Sequence, residues 1–440
     1  MCNNHSIKDH PCFNEEAKAK FARLHLPVAS KCNIQCNYCN RKHACLNENR
    51  PGVSSRILSP YQALYYLEQV REKMPNLSVV GIAGPGDAFA SPTESMKTLR
   101  LIREKGYDYL LCIATNGLNI LSYIDELAEL KVSHVTITLN AVDPEIGSKI
   151  YAWARDNKKI YRGIEAAKLL LDRQKAAIKQ LVKKNILVKV NYIVVPGIND
   201  SCIEEAAKEV AHLGAEMFNP MPMFPVEDTP FEFLGSPEKN LMHRIKEKCA
   251  THINIMQHCN RCRSDAAGLI GEGLRKDCES LLVKVSRMPV NPYEQRPFIA
   301  VATTDDEYVN SHLGQVRYMR ILEKTAPGFR VIDTRMMPEK GLGDSRWFKI
   351  TQLLKDCRSL LVSGIGYKPF QILSDSGLKI FETGAKIEDL LDDVFSGNDI
   401  ENKEINAPRG CAGPEFNNFA TGGCSDHPCS ESSCSSECKK

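Results

Sequence analysis

The sequence predicts an α/β protein: a partial (β/α)6 barrel of the TIM type, then a small α/β domain, then a flexible cysteine-rich tail. Three observations predict it. Between about 23 and 220, six apolar β-rich runs alternate with amphipathic helical stretches. A second, shorter series of strands and helices fills 297–396, after a run broken by Pro289, Pro292 and Pro297. From Pro408 onward Gly, Ser, Asn and Cys replace large apolar residues, a composition that stays disordered in isolation. These shifts divide the chain into a leader (1–22), a barrel with a cysteine-bearing extension (23–290), a linker (291–296), the small domain (297–396) and the tail (397–440).

Each barrel element has its own signal. Strands are expected at 24–30, 78–83, 109–115, 133–139, 186–195 and 215–219. Ser59-Pro60 opens a helix with a Ser cap and Pro at its first position, and Ala63, Leu67, Val70 and Met74 share one face of it. Ser91-Pro92-Thr93-Glu94 has the capping-box pattern, and Ser236-Pro237-Glu238 opens a later helix. Residues 119–130, 161–184 and 200–213 are helical in pattern. A complete eight-unit barrel needs about 250 residues, so six units in about 200 make a partial one. In the second unit, strands are expected at 298–303, 317–322, 329–333, 359–362 and 379–381, with helices near 345–356, 367–375 and 386–395.

Strand alternation places polar residues inside the barrel. His134, Thr136, Thr138 and Asn140 alternate with Val135, Ile137 and Leu139. Lys189 and Asn191 alternate with Val188 and Val190, and Cys112, Ala114 and Asn116 share a face. An ordinary barrel interior is filled by branched apolar side chains, so a polar one points to an enclosed site at the C-terminal strand ends.

Of the 440 residues, 43% are hydrophobic and 25% charged, which excludes wholesale disorder. The net charge of +3 gives no electrostatic case for nucleic acid or an anionic membrane as partner. No run of about 18 apolar residues exists to span a bilayer, and Met1–Cys12 lacks the apolar stretch of a signal peptide, so a cytoplasmic location is expected. Eighteen cysteines are the outlier. In a reducing compartment they read as metal ligands or redox groups rather than disulfides. Cys202, Cys278 and Cys357 stand alone and read as buried small apolar residues.

Cys32-x3-Cys36-x2-Cys39 directly follows the first strand. Three thiolates in one short loop can take three corners of a [4Fe–4S] cluster and leave the fourth iron open. The same loop could hold zinc with Cys45 or His43 as fourth ligand. Cys259-x2-Cys262 is a second local pair, open to a cluster or a zinc knuckle. His10 and Glu48 read equally as ligands or as a cap and a surface carboxylate, and the residues at strand ends equally as packing.

The CxxxCxxC loop after the first strand of a partial barrel resembles the radical S-adenosylmethionine (SAM) enzymes. Further runs narrow the resemblance to the radical SAM family of nitrogenase iron–molybdenum cofactor biosynthesis: His10-Pro11-Cys12, His25 to Ala29, Cys32 to Lys42, Asn47 to Val53, Cys112 to Leu118, and His258 to Gly268. Residues 297–396 resemble the ribonuclease H-like, NifX-type cofactor-binding domain, through Val309 to Gly314 and the Trp347 helix. The tail, with Cys411, Cys424, Cys429, Cys434 and Cys438, departs from the family pattern.

The resemblance implies that Cys32, Cys36 and Cys39 hold a [4Fe–4S] cluster whose free iron chelates SAM. It implies a SAM-binding role for Gly84, Gly86 and Asp87 after the second strand. Asn116, Thr138, Asn140, Asn191, Val194 and Val195 are the other SAM candidates. It also implies two further [4Fe–4S] clusters, fused with a SAM-derived carbide and an added sulfur into an eight-iron precursor. Their candidate ligands are Cys259 and Cys262, then Cys12, Cys112, His10 and Glu48, with His258 and Cys249 available. Cys112 is expected to join the chemistry beside the three loop cysteines, and His312 to hold the finished precursor. Implied partners are an iron–sulfur cluster donor, a ferredoxin-type electron donor and downstream cofactor scaffold or carrier proteins. Two other readings share the features: a radical SAM maturase with auxiliary clusters and another substrate, and a non-catalytic iron–sulfur carrier.

Overall fold

A computed structural model describes residues 7–396 except 258, 260, 326 and 327. The expected tail and its five cysteines, and His258, lie outside the described residues.

The leader carries a short helix α1 (Glu15–Lys18), capped by Asn14 Oδ1 on the Glu16 and Ala17 amides. Strand β1 (Ala22–His25) follows, then a three-residue strand β2 (Ile34–Cys36) inside the cysteine loop. The chain then alternates through α2 (Pro60–Lys73), β3 (Leu77–Ile82), α3 (Pro92–Glu104), β4 (Leu110–Thr115), α4 (Ile124–Glu129) and β5 (Val132–Thr138). A helix α5 (Pro144–Ile150) and a hairpin of β6 (Tyr151–Asp156) and β7 (Lys159–Tyr161) interrupt the alternation. It resumes with α6 (Gly163–Lys183), β8 (Leu187–Val194), α7 (Ile203–His212) and β9 (Met217–Pro222). Helix α8 (Lys239–Ala250), a two-residue strand β10 (Ala267–Gly268) and helix α9 (Lys276–Ser286) complete this part.

The sheet order is β10-β1-β3-β4-β5-β8-β9. The six long strands run parallel in sequential order, and β10 adds antiparallel to β1. This is the expected six-unit partial barrel. Its helices bury their apolar faces on the outside of the sheet, where Val135, Ile137, Leu139, Val188 and Val190 join one core with Ala63, Leu67, Val70 and Met74.

Local signals account for most helix starts. Ser59 and Gln62 form a reciprocal capping box, each side chain bonding the other's amide. Ser91 corrects the expectation: α3 starts at Pro92, but the Ser91 side chain makes no capping bond. Helix α8 starts at Lys239, two residues past the Ser236-Pro237 signal, because Glu238 remains extended at ψ 147°. Helix α5 was not expected; it starts at Pro144, where Asp143 Oδ1 accepts from the Glu145 amide.

The second unit has the expected five strands and three helices: β11 (Phe298–Val301), β12 (Tyr318–Thr325), β13 (Gly328–Met336), α10 (Asp344–Leu353), β14 (Cys357–Val362), α11 (Tyr367–Asp375), β15 (Lys379–Glu382) and α12 (Ile387–Ser396). Its sheet order is β13-β12-β11-β14-β15, with apolar clusters on both faces. Among the described residues no helix is long and apolar enough to cross a membrane.

Candidate active site

The cysteine loop is held from two sides. Strand β2 pairs with β6, setting Ile34 opposite Ala154 and Cys36 opposite Tyr151. Gln35 Nε2 donates to the carbonyls of Cys36 (3.0 Å) and Cys39 (2.6 Å), folding the loop back on itself. On the other side the segment after β3 lies along the chain entering the loop. The Gly86 amide donates to Ala29 O (2.6 Å) and the Asp87 amide to Lys31 O (2.7 Å). A Cβ on Gly86 would sit 2.0 Å from Lys31 O, so only glycine allows this approach.

Cys32, Cys36, Cys39 and Cys45 line one cavity of ≈ 410 Å³, closed by Gly86, Asp87, Asn116 and Thr138. Burial pushes the Cys39 thiol up to about 11, and raises Cys32 and Cys36 as well. Such thiols become thiolates when a metal takes their protons' place. The Arg41 guanidinium lies against Cys32 and supplies a compensating positive charge. Asp87 is a buried organiser, accepting from the Asn116 amide (2.5 Å), the Phe89 amide (2.9 Å) and Thr115 Oγ1 (3.0 Å). Asn116 Nδ2 in turn donates to Asn33 Oδ1 (2.6 Å), within the cysteine loop, and lies 3.9 Å from Cys32 Sγ.

A second, larger cavity of ≈ 710 Å³ lies alongside and shares Asn47, Glu48 and Ala114 with the first. Three separate stretches meet here: His10 and Cys12 from the leader, Cys112 from β4, and Cys259 and Cys262 from the segment before β10. Glu48, Thr136, Lys189, Asn191 and Asn219 complete the polar wall. All six residues expected to hold the further clusters therefore line one space. Among the described residues, no three His, Cys, Asp or Glu side chains converge on a single ion position.

Hydrogen bonds orient this wall. His10 Nδ1 accepts from the Cys12 amide (3.1 Å), and its Nε2 is buried without a partner. The His10 ring packs against His134 at a tilt of 50°, with centroids 4.1 Å apart. Asn219 Nδ2 reaches Cys259 Sγ (3.4 Å), and Arg23 Nη2 reaches Cys262 Sγ (3.4 Å). Asn191 Nδ2 donates to Glu48 Oε1 (2.7 Å) and Asn219 Nδ2 to Asn191 Oδ1 (2.9 Å). Burial pushes Glu48 up to about 7, Cys12 to about 11 and Cys112 to about 12.

Several expected residues stand elsewhere. Asn140 is fully buried off both cavities: its Oδ1 accepts from the Ile193 amide (2.8 Å) and its Nδ2 donates to Tyr38 OH (2.8 Å), so it braces the cysteine loop. Val194 and Val195 are packed in apolar cores, and the Val195 amide is taken by Asn199 Oδ1 (2.7 Å). Gly84, at φ +112°, turns the chain against Asn49 and Ser264. Cys249 is buried in the helix–sheet core. Cys278 and Cys357 are buried as expected, but Cys202 is only half-buried at the start of α7. His43 contacts Ser54 Oγ (3.5 Å) and does not line the cysteine cavity, whereas Cys45 does. His312 lines a third cavity in the second unit, its Nδ1 accepting from the Gly314 amide (3.0 Å).

Arg23, His25, Arg41 and Arg261 also line the cavities, and sequence reasoning assigned them nothing. For Arg23 and His25 the signal existed: they alternate with Leu24 on β1, as the polar residues do on β5 and β8. Arg41 and Arg261 sit in loops, where no periodicity marks them.

Residues 26–210 match the model of the Radical SAM superfamily, and residues 295–397 match that of the Dinitrogenase iron-molybdenum cofactor family. FeMo cofactor biosynthesis protein NifB of Chlorobaculum tepidum is 47% identical over 398 residues, covering 90% of this chain and 94% of that protein. The proteins of the same name from Bradyrhizobium diazoefficiens and Azotobacter vinelandii are 37% and 35% identical. Each alignment covers 85% of this chain, and they cover 83% and 84% of those proteins.

Proposed function

The chain belongs to the family of FeMo cofactor biosynthesis protein NifB, radical SAM enzymes that use a [4Fe–4S] cluster and SAM, and from this premise we propose what its two adjoining cavities do. The smaller cavity holds the SAM-binding cluster on Cys32, Cys36 and Cys39. An all-sulfur donor set from one loop, with a cation beside it, suits a cluster of soft iron sites. With SAM bound, this group supplies one-electron cleavage of SAM to a 5′-deoxyadenosyl radical. Gly86, Asp87, Asn116 and Thr138 shape the space beside it, and Asn191 approaches from the shared side.

The larger cavity takes the substrates, two [4Fe–4S] clusters. Cys12, Cys112, Cys259, Cys262, His10 and Glu48 hold them by fewer protein ligands than full caging needs, so that the product can leave. There they are fused, with a SAM-derived carbide and one added sulfur, into the eight-iron precursor. The observation that carries this reading is the shared wall of Asn47, Glu48 and Ala114. A methyl source in one cavity and a sulfide acceptor in the other are neighbours across it, which is the positioning such a transfer requires.

On this reading 1–22 closes the cavity with its two ligands, 23–290 is the catalytic unit, 291–296 links it, 297–396 receives product with His312, and 397–440 is an accessory tail. The second unit belongs to a cofactor family. It would hand product to downstream scaffold or carrier proteins, while an iron–sulfur donor and a ferredoxin-type donor supply clusters and electrons.

The test is anaerobic. The protein, reconstituted with iron and sulfide and reduced with dithionite, receives SAM labelled at its methyl carbon. Formation of both 5′-deoxyadenosine and S-adenosylhomocysteine, with label retained in an extractable iron–sulfur species, is expected. Deoxyadenosine alone, with no retained carbon, would move the enzyme to another substrate. Neither nucleoside from a fully loaded protein would make it a carrier.

A further inference from the structure

Lys189 is a lysine on an internal strand, and it is only 7% exposed. It sits on β8, opposite Thr136 of β5 and Met217 of β9, and faces the larger cavity. Among the described residues its ammonium makes no hydrogen bond and no ion pair within 4 Å. Its neighbours across the space are Cys12, Glu48, Cys259 and Cys112. A charge buried without a hydrogen bond or ion pair is costly, so an ammonium aimed into this cavity marks where an anion can bind.

We infer that Lys189 is the electrostatic anchor of the larger cavity: a positioning residue whose fixed positive charge draws in the anionic iron–sulfur substrates and sets the potential at which they are reduced. This rests on the proposed occupancy of that cavity. Arg23 and Arg261 do not serve equally. Arg23 is committed to the carbonyls of Gly268 (2.5 Å) and Leu269 (2.6 Å), and Arg261 is held through Nη2 by the carbonyl of Pro222, although its Nε and Nη1 have no acceptor. Lys189 alone among these cations has no protein acceptor.

The inference makes opposite demands on the empty and the loaded protein. Without substrate, the ammonium bears its desolvation cost with no hydrogen bond or ion pair among the described residues to offset it. Lys189→Met should therefore leave the melting temperature of the metal-free full-length protein unchanged or raise it. On reconstitution the same variant should keep the iron and the EPR signal of the SAM-binding cluster. It should retain the additional iron at least about tenfold more weakly, equivalent to about 1.4 kcal/mol. Any substrate cluster it does hold should titrate at a more negative potential, because reduction adds charge that nothing offsets. Lys189→Arg should restore both properties.

Equal additional iron at the same potential in Lys189→Met would overturn the inference and leave the proposed function intact. A fall in the metal-free melting temperature in both Lys189→Met and Lys189→Gln would make Lys189 a scaffold residue and overturn it too. If the unmodified protein holds no iron beyond one cluster, the proposed occupancy fails, and the inference with it.

Discussion

At the scale of single residues, the two cavities separate cleanly into two predictions. Cys32→Ala should abolish SAM cleavage, read as loss of 5′-deoxyadenosine, because Cys32 lines the smaller cavity. Cys259→Ala should lower total iron yet keep the SAM-binding cluster, because Cys259 lines only the larger one. Deoxyadenosine at the original rate from Cys32→Ala would sink the assignment. Gly86 is a sharper case. A methyl group there meets Lys31 O at 2.0 Å, and backbone cannot swing aside as a side chain can. Gly86→Ala should cost about 1–3 kcal/mol in urea unfolding and reduce occupancy of the cysteine loop, which an iron count after reconstitution would register. Cysteine spacing made the loop legible in advance. The contact that forces Gly86 was not, since Lys31 and Gly86 are brought together by parallel strands and not by local sequence.

Among the elements, capping separates what a pattern implies from what it forms. Ser59 and Ser91 both precede proline and carry the right residue three places on, but only Ser59 caps. Ser59→Ala should therefore cost about 1 kcal/mol, and Ser91→Ala no more than about 0.5. Equal losses in a urea titration would contradict the difference. The β6–β7 hairpin shows the opposite failure. Its turn residues Asn157 and Lys158 adopt positive φ (47° and 70°), a region that Asn tolerates but that Lys does not advertise. Its partner is the short strand β2, far away in sequence. A strand of three residues carries too little alternation to be read, so the clamp on the cysteine loop went unseen.

For the whole molecule, burial of a polar interior has a consequence for acid stability. Burial, with nearby Arg23, holds His25 at about 4; burial, with Lys189, holds His134 at about 3; His10 is also well below its ordinary value. In the unfolded chain each takes a proton near pH 6.5, so acidification favours unfolding from there downward. Glu48 at about 7, and Asp87, are raised by burial and keep protons in the folded state, which opposes the trend. The metal-free protein should lose stability between pH 6.5 and 5 with a net uptake of about one to two protons, or about 1.4–2.7 kcal/mol per pH unit. Urea midpoints at several pH values would check this, and a flat or rising profile would refute it. The six alternating strand–helix units, the five-stranded second unit and the polar barrel face were all readable from the chain, because period-two alternation and helix signals are local. The three loop cysteines were readable for the same reason. The gathering of His10, Cys12, Cys112, Cys259 and Cys262 into one cavity around Lys189 was not derivable from spacing and came only as an implication of family resemblance. These residues lie in three stretches up to 252 positions apart, and only closure of the sheet, with β10 folded back onto β1, makes them neighbours. Asn140 marks the same limit. Its polarity and place at a strand end are what a ligand contact would show, yet in three dimensions its hydrogen bonds are satisfied by Ile193 and Tyr38.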